Sequence, residues 1–92
     1  MIGMNVNHPY TKGDIAIIFD MIDFLGLDQH KYENAELKTQ VVLEIYMTII
    51  DTWSRMKRSD KYMKTNLSDV CQSEFAIDIS EKILSKYNIP TA

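Results

Sequence analysis

The chain contains few residues whose type and spacing could support catalysis or metal binding. Its two histidines, His8 and His30, lie far apart and neither has a second ligand at helical spacing, so the usual zinc motifs are absent. Asp20 and Asp23 are three residues apart and could act as a general acid and base, although a solvent-exposed helix face is the simpler interpretation. Three glycines leave little room for a phosphate-binding loop. We expect no catalytic residue, cofactor or metal.

The single cysteine, Cys71, follows Val70 within a helical pattern and has no histidine near it in sequence. A buried structural thiol is therefore expected rather than a nucleophile. One cysteine cannot form an internal disulfide, which fits a reducing compartment. Residues 1–12 are too polar for a secretory signal. These features favour a cytoplasmic protein.

A cluster of basic and aromatic residues late in the chain is the main candidate for a binding surface. Its members are Trp53, Arg55, Arg58, Lys61, Tyr62 and Lys64. Cations beside aromatic rings can hold phosphates while the rings stack on bases. The same cations also suit the C-terminal end of a helix, where the helix dipole favours positive charge. The net charge of −3 and the pI of 5.2 argue against nucleic acid, so an acidic protein partner fits this cluster equally well.

The first half of the chain has the opposite charge. Residues 1–53 contain eight acids against three lysines, whereas residues 54–64 contain five bases against one acid. An acidic surface could compete with phosphate for a basic, DNA-binding protein. Thirteen acids against ten bases in the whole chain are few for that role. Ordinary solvated helix faces explain these acids more simply.

The distribution of glycine and proline predicts helices rather than hairpins. Between residues 27 and 89 neither residue type occurs, although both are the usual residues of tight turns. The first helix should span about 12–25, with Thr11 as its cap and Gly26 in a left-handed conformation at its end. Apolar residues occur almost all round this segment. We therefore expect nearly all of the first helix to lie in the core.

The segment from about 34 to 58 has a β-branched centre that would also suit a strand. Its polar residues recur at steps of three and four, which gives them one common face only in a helix; they are Gln40, Glu44, Thr48, Asp51, Arg55 and Arg58. The opposite side is apolar over more than half of the circumference. This segment is predicted to be the long central helix.

The last predicted helix spans about 67–87, where apolar residues keep the helical period, and Pro90 is expected to end it. Residues 1–10 are expected to be an N-terminal arm. No apolar run is long enough to span a membrane. The predicted fold is all-α: one domain of residues 1–92, built as a small three-helix bundle with a long central helix.

Three helices of this length can bury about one apolar stripe each, yet the first two are apolar over a larger area. The excess predicts association, either as a homodimer or with another protein. Alternatively, the connection at 27–34 and the N-terminal arm could cover it. Because the excess apolar surface occurs without a catalytic, cofactor-binding or metal-binding motif, we predict a small non-enzymatic interaction protein, such as an adaptor, an inhibitor or a small regulatory subunit. The two alternatives are a nucleic-acid-associated regulator and an acidic inhibitor of a DNA-binding protein.

Composition also indicates an origin for the chain. The chain has twelve isoleucines and only four alanines, which is typical of AT-rich coding sequences. Such sequences are common in phages, mobile elements and low-GC bacteria. This association predicts a phage or mobile-element protein.

Overall fold

The computed structural model describes residues 12–56 and 66–91. Within them, the elements are α1 (Lys12–Leu25), a short 3₁₀ helix (Leu27–Gln29), α2 (Ala35–Met56), α3 (Leu67–Cys71) and α4 (Glu74–Lys86). The longest helix, α2, packs on α3 and α4, and α1 packs on the same two helices. The prediction of an all-helical fold with a long central helix is confirmed. Dimerisation remains a prediction.

One face of α2 forms the centre of the core. Val41, Ile45 and Ile49 recur at steps of four and are fully buried, with Val42 and Tyr46 beside them. The polar residues that predicted a helix lie on the other side and are exposed or half-buried: Gln40, Glu44, Thr48, Asp51 and Arg55. The β-branched residues therefore adopt a helix because burial of this stripe outweighs their weaker helix propensity.

The predicted single helix at 67–87 is wrong, because the structure divides it into α3 and α4. Ser73 is the residue at the break. Its hydroxyl accepts a hydrogen bond from the backbone N–H of Ala76 at 3.4 Å and donates one to the carbonyl of Val70 at 2.7 Å. Ser73 thus caps the start of α4 while also bonding the end of α3. The apolar period continues through both helices and does not reveal the break.

The predicted end of α1 is confirmed. Gly26 has φ +65°, in the left-handed region, and its N–H donates to the carbonyl of Asp23 at 3.3 Å. Leu27, the next residue, is fully buried. In the connection that follows, the hydroxyl of Tyr32 donates to the carbonyl of Leu27 at 2.7 Å. Leu27 and Tyr32 thus bring the 27–34 connection into the core. The N-terminal arm lies outside the described residues, so coverage of the excess apolar surface by the connection and the arm stays a prediction.

The end of α4 is set by Asn88 and not by Pro90, so that prediction is wrong. Asn88 has φ +56°. Its N–H donates to the carbonyl of Ser85 at 3.0 Å, and the N–H of Ile89 donates to the carbonyl of Leu84 at 2.9 Å. This pair of hydrogen bonds is a Schellman motif, which satisfies the last carbonyls of the helix.

After this turn the chain meets the connection between α1 and α2. The N–H of Lys31 donates to the carbonyl of Pro90 at 2.9 Å, and His30 and Thr91 form an antiparallel bridge. The C-terminal residues are thereby fixed beside the start of α2. No helix in the described part of the chain is both long enough and apolar enough to cross a membrane.

Replacing Ser73 with alanine should lower the free energy of unfolding by about 1 kcal/mol, because α4 loses its N-cap. Urea denaturation followed by circular dichroism measures this change. Ser85→Ala is the matched control, since Ser85 is exposed within the same helix and alanine is the better helix former. Equal losses in the two variants would contradict the capping role.

Asn88 gives a second test of the fold. Alanine there should cost about 1 kcal/mol of unfolding free energy, because it lacks the short polar side chain that lets asparagine adopt a left-handed backbone at low cost. Glycine adopts this conformation freely, so Asn88→Gly should be as stable as the natural protein or slightly more stable. Thermal or urea denaturation compares the two variants. A glycine variant as unstable as the alanine variant would show that the left-handed turn does not stabilise α4.

Candidate interaction surface

The structure places two of the six residues in the predicted basic and aromatic cluster. Arg55 is exposed in the last turn of α2 and pairs with Asp51 one turn earlier. Trp53 is half-buried and packs against the core. The remaining members, Arg58, Lys61, Tyr62 and Lys64, lie outside the described residues. Nucleic-acid binding by this cluster and inhibition through an acidic surface both stay predictions.

Asp20 and Asp23 are exposed on α1, and His30 is half-buried in the connection between α1 and α2; His8 lies outside the described residues. Among residues 12–56 and 66–91, no three histidine, cysteine or acidic side chains are grouped so that they could hold a metal ion.

Cys71 is fully buried at the end of α3. Burial raises the pKa of its thiol to about 11, because a low-polarity environment disfavours the thiolate. At neutral pH only about one molecule in ten thousand carries the thiolate at such a pKa. Cys71 therefore serves as a small apolar side chain in the core.

The expectation that nearly all of α1 lies in the core is wrong. Met21 is the one residue of α1 that is fully buried, and four others pack partly against the core: Ile17, Ile18, Ile22 and Leu25. On the outer side, Phe19 is 65% exposed, Ile15 45% and Phe24 44%. The chain thus leaves large apolar side chains of α1 in contact with solvent.

Two features fix which side of α1 faces outward. Met21 is buried in the core, and the buried Tyr46 of α2 donates a hydrogen bond from its hydroxyl to Asp14 at 2.9 Å. Ile15 and Phe19 are one helical turn apart, so their side chains are neighbours. They form a small apolar patch on the outer face, which we call the α1 patch (Ile15 and Phe19).

Charged side chains occur at both ends of the α1 patch. Lys12 is exposed in the first turn of α1 and Asp23 is exposed in its last turn. The helix dipole favours the reverse placement, with acids first and bases last. α2 and α4 follow that preference at both ends, whereas α1 has Asp14 in its first turn but no base in its last. Within its own helix, therefore, neither Lys12 nor Asp23 gains from the dipole.

Sequence reasoning detected the excess of apolar residues in α1 but missed the exposed patch. Apolar side chains surround the segment, so periodicity alone does not identify the face that meets the core. The signal available in the sequence was the position of the charges. Lys12 lies seven residues before Phe19 and Asp23 four residues after it, so both charges share the helix face of Phe19.

A polar cluster joins α2 to the end of α4. Both oxygens of the Glu44 carboxylate accept hydrogen bonds, one from Lys86 at 2.8 Å and one from the hydroxyl of Tyr87 at 2.5 Å. Gln40 also donates to the Tyr87 hydroxyl at 3.2 Å. The hydrogen bonds from Lys86 and Tyr87 lower the pKa of Glu44 below its ordinary value. Because every member is bonded within the chain, this cluster is best explained as a contact between helices.

Comparison with protein-family models, with curated proteins and with solved structures finds no match.

The lowered pKa of Glu44 predicts how acid affects stability. The Glu44 carboxylate loses its charge at a lower pH in the folded protein than in the unfolded chain. Its contribution to the free energy of unfolding is therefore present above about pH 5 and is lost as the pH falls through the folded pKa. Glu44→Gln should therefore show a shallower loss of unfolding free energy between about pH 5 and pH 3. The difference should be below about 1 kcal/mol because the pair is solvent-exposed.

Urea denaturation at a series of pH values measures this difference. Glu81→Gln is the matched control, because Glu81 is an exposed carboxylate of α4 that forms no ion pair among the described residues. It should show the acid sensitivity of the natural protein. Equal pH profiles for the natural protein and Glu44→Gln would show that the cluster does not stabilise the fold.

Proposed function

We propose that this chain is a small, non-enzymatic interaction protein that acts by docking the outer face of α1 on a protein surface. That surface belongs either to another protein or to a second copy. The observation that carries this proposal is the α1 patch, in which Phe19 is 65% exposed and Ile15, one turn away, is 45% exposed. An adaptor, an inhibitor or a small regulatory subunit works in this way.

The composition of the patch supports docking on a protein. Interfaces have an apolar centre with aromatic residues and a polar rim, and large aromatic side chains contribute much of the binding energy. Phe19 lies at the centre of the outer face, and Lys12, Asp20 and Asp23 lie around it. Single exposed apolar residues are normal on any protein. Adjacent exposed isoleucine and phenylalanine side chains in one rigid helix are more typical of a binding site.

The position of the patch supports the same function. The opposite side of α1 is held by the buried Met21 and by the Tyr46–Asp14 hydrogen bond. Phe19 is therefore presented on a helix that is already folded, so binding would order few additional groups. A preformed apolar surface of this kind favours association without a large conformational change.

Photo-crosslinking from the patch tests the proposal in cells of the source organism. A photoreactive phenylalanine derivative in place of Ile15 keeps an apolar side chain there, and the same group in place of Ile77 on α4 is the control. We expect adducts from position 15 and few from position 77. Equal adduct formation from the two positions, or none from position 15, would contradict docking through α1.

Phe19→Ser should abolish the adducts from position 15 because it removes the apolar centre of the patch. The unfolding free energy should change by less than about 1 kcal/mol, since Phe19 is largely exposed. Ile77→Ser, a change of an exposed apolar residue on another helix, should leave the adducts unchanged. Circular dichroism and thermal denaturation confirm that each variant is folded. Undiminished crosslinking of Phe19→Ser would remove the main support for the proposed function.

A further inference from the structure

We propose that the occupant of the α1 patch is the same patch on a second copy of this chain, with the two α1 helices packed antiparallel. This inference rests on the proposed function and specifies its partner. It follows from the order of four residues along the outer face of α1, from their exposure and from the direction of the helix dipole.

Four residues follow one another along the outer face at steps of four, three and four: Lys12, Ala16, Phe19 and Asp23. All four are exposed. The same steps occur when the face is followed in the opposite direction, because the spacing is symmetric. An antiparallel second copy therefore aligns each of the four with another member of the set. Such self-complementarity is what a two-fold symmetric interface requires.

The pairs formed by this alignment match in size and in charge. Phe19 of each copy comes opposite Ala16 of the other, so a large ring lies against a small side chain, as well-packed helix contacts require. Lys12 of each copy comes opposite Asp23 of the other, which forms two ion pairs of opposite charge. A parallel arrangement would instead place Lys12 against Lys12, Phe19 against Phe19 and Asp23 against Asp23.

The helix dipole favours the same arrangement. Within one copy, Lys12 lies near the positive end of α1 and Asp23 near the negative end, and both placements are unfavourable. In the antiparallel pair, Lys12 lies beside the negative end of the neighbouring α1 and Asp23 beside its positive end. Two charges that α1 alone does not favour are thus both stabilised by a second copy.

The interface around α1 is small, because the helix spans only 14 residues. Such a length corresponds to about 21 Å. The contact is therefore smaller than the surface of about 800 Å² per partner that stable complexes bury. We infer a reversible dimer whose population depends on concentration, rather than a permanent one.

Charge reversal tests the register directly. Lys12→Glu places two like-charged pairs in its own dimer, and so does Asp23→Lys. The dimer dissociation constant of each variant alone should be at least about tenfold higher than that of the natural protein. In an equimolar mixture of the two variants, both ion pairs form again, and the affinity of the natural protein should return to within about threefold.

Sedimentation equilibrium on each variant and on the mixture measures these affinities. Loss of folding should not be the cause of weaker dimerisation. Both substitutions place charges as the dipole of α1 prefers, so each variant should be at least as stable as the natural protein. Recovery only in the mixture supports the antiparallel pair.

Three results would overturn this inference: a natural protein that is monomeric at every concentration, variants that dimerise as the natural protein does, and weakened variants whose mixture does not recover. Crosslinking from position 15 distinguishes absence of the α1 dimer from absence of any docking through α1. Phe19-dependent adducts with a different protein alone would leave docking through α1 standing and exclude the second copy.

Discussion

Burial of one stripe on α2 is the constraint on which the rest of the structure depends. Val41, Ile45 and Ile49 are fully buried along this stripe, and a chain of 92 residues has few elements with which to cover it. α3 and α4 pack on α2, and α1 packs on α3 and α4. Each covering helix has to present an apolar face inward. α4 does so with an outer side that is polar except for Ile77, whereas α1 keeps several apolar residues on both sides.

Small domains bury only about 60 to 65 per cent of the surface of the unfolded chain. A protein of this size that encodes a helix apolar all round therefore leaves some of that helix exposed. Here the exposed part is Ile15, Phe19 and Phe24, on a helix held in place by the buried Met21 and by the hydrogen bond between Tyr46 and Asp14. In the proposed function, Ile15 and Phe19 within this exposed part form the docking surface. Structure and proposed function thus have one physical origin.

The sequence predicted the elements whose signal is local or periodic. The polar residues from Gln40 to Arg55 identified α2 as a helix despite its β-branched centre, and Gly26 identified the end of α1. The division at Ser73 was missed, because serine is common within helices and the apolar period continues past it. The turn at Asn88 was missed for a related reason: Pro90 is the more familiar helix terminator, although a left-handed asparagine also ends a helix.

The candidate surface was less predictable than the fold. Periodicity showed that α1 has excess apolar surface, but the exposed side depends on tertiary packing against α3 and α4, which the local sequence does not encode. The basic cluster was suggested by composition alone. Of its members, the structure places Trp53 partly in the core and Arg55 in an ion pair with Asp51. Surface charges become informative once the helix that carries them is placed, as Lys12 and Asp23 show.

Light scattering on the natural protein, across a concentration series at low and high salt, measures whether α1 pairs with a second copy. An antiparallel α1 pair predicts a mass that rises from the 10.7 kDa of one chain toward twice that value. The rise should begin at lower concentration in low salt, because salt screens exposed ion pairs. A mass that stays at 10.7 kDa at every concentration and at both salts would contradict this pairing.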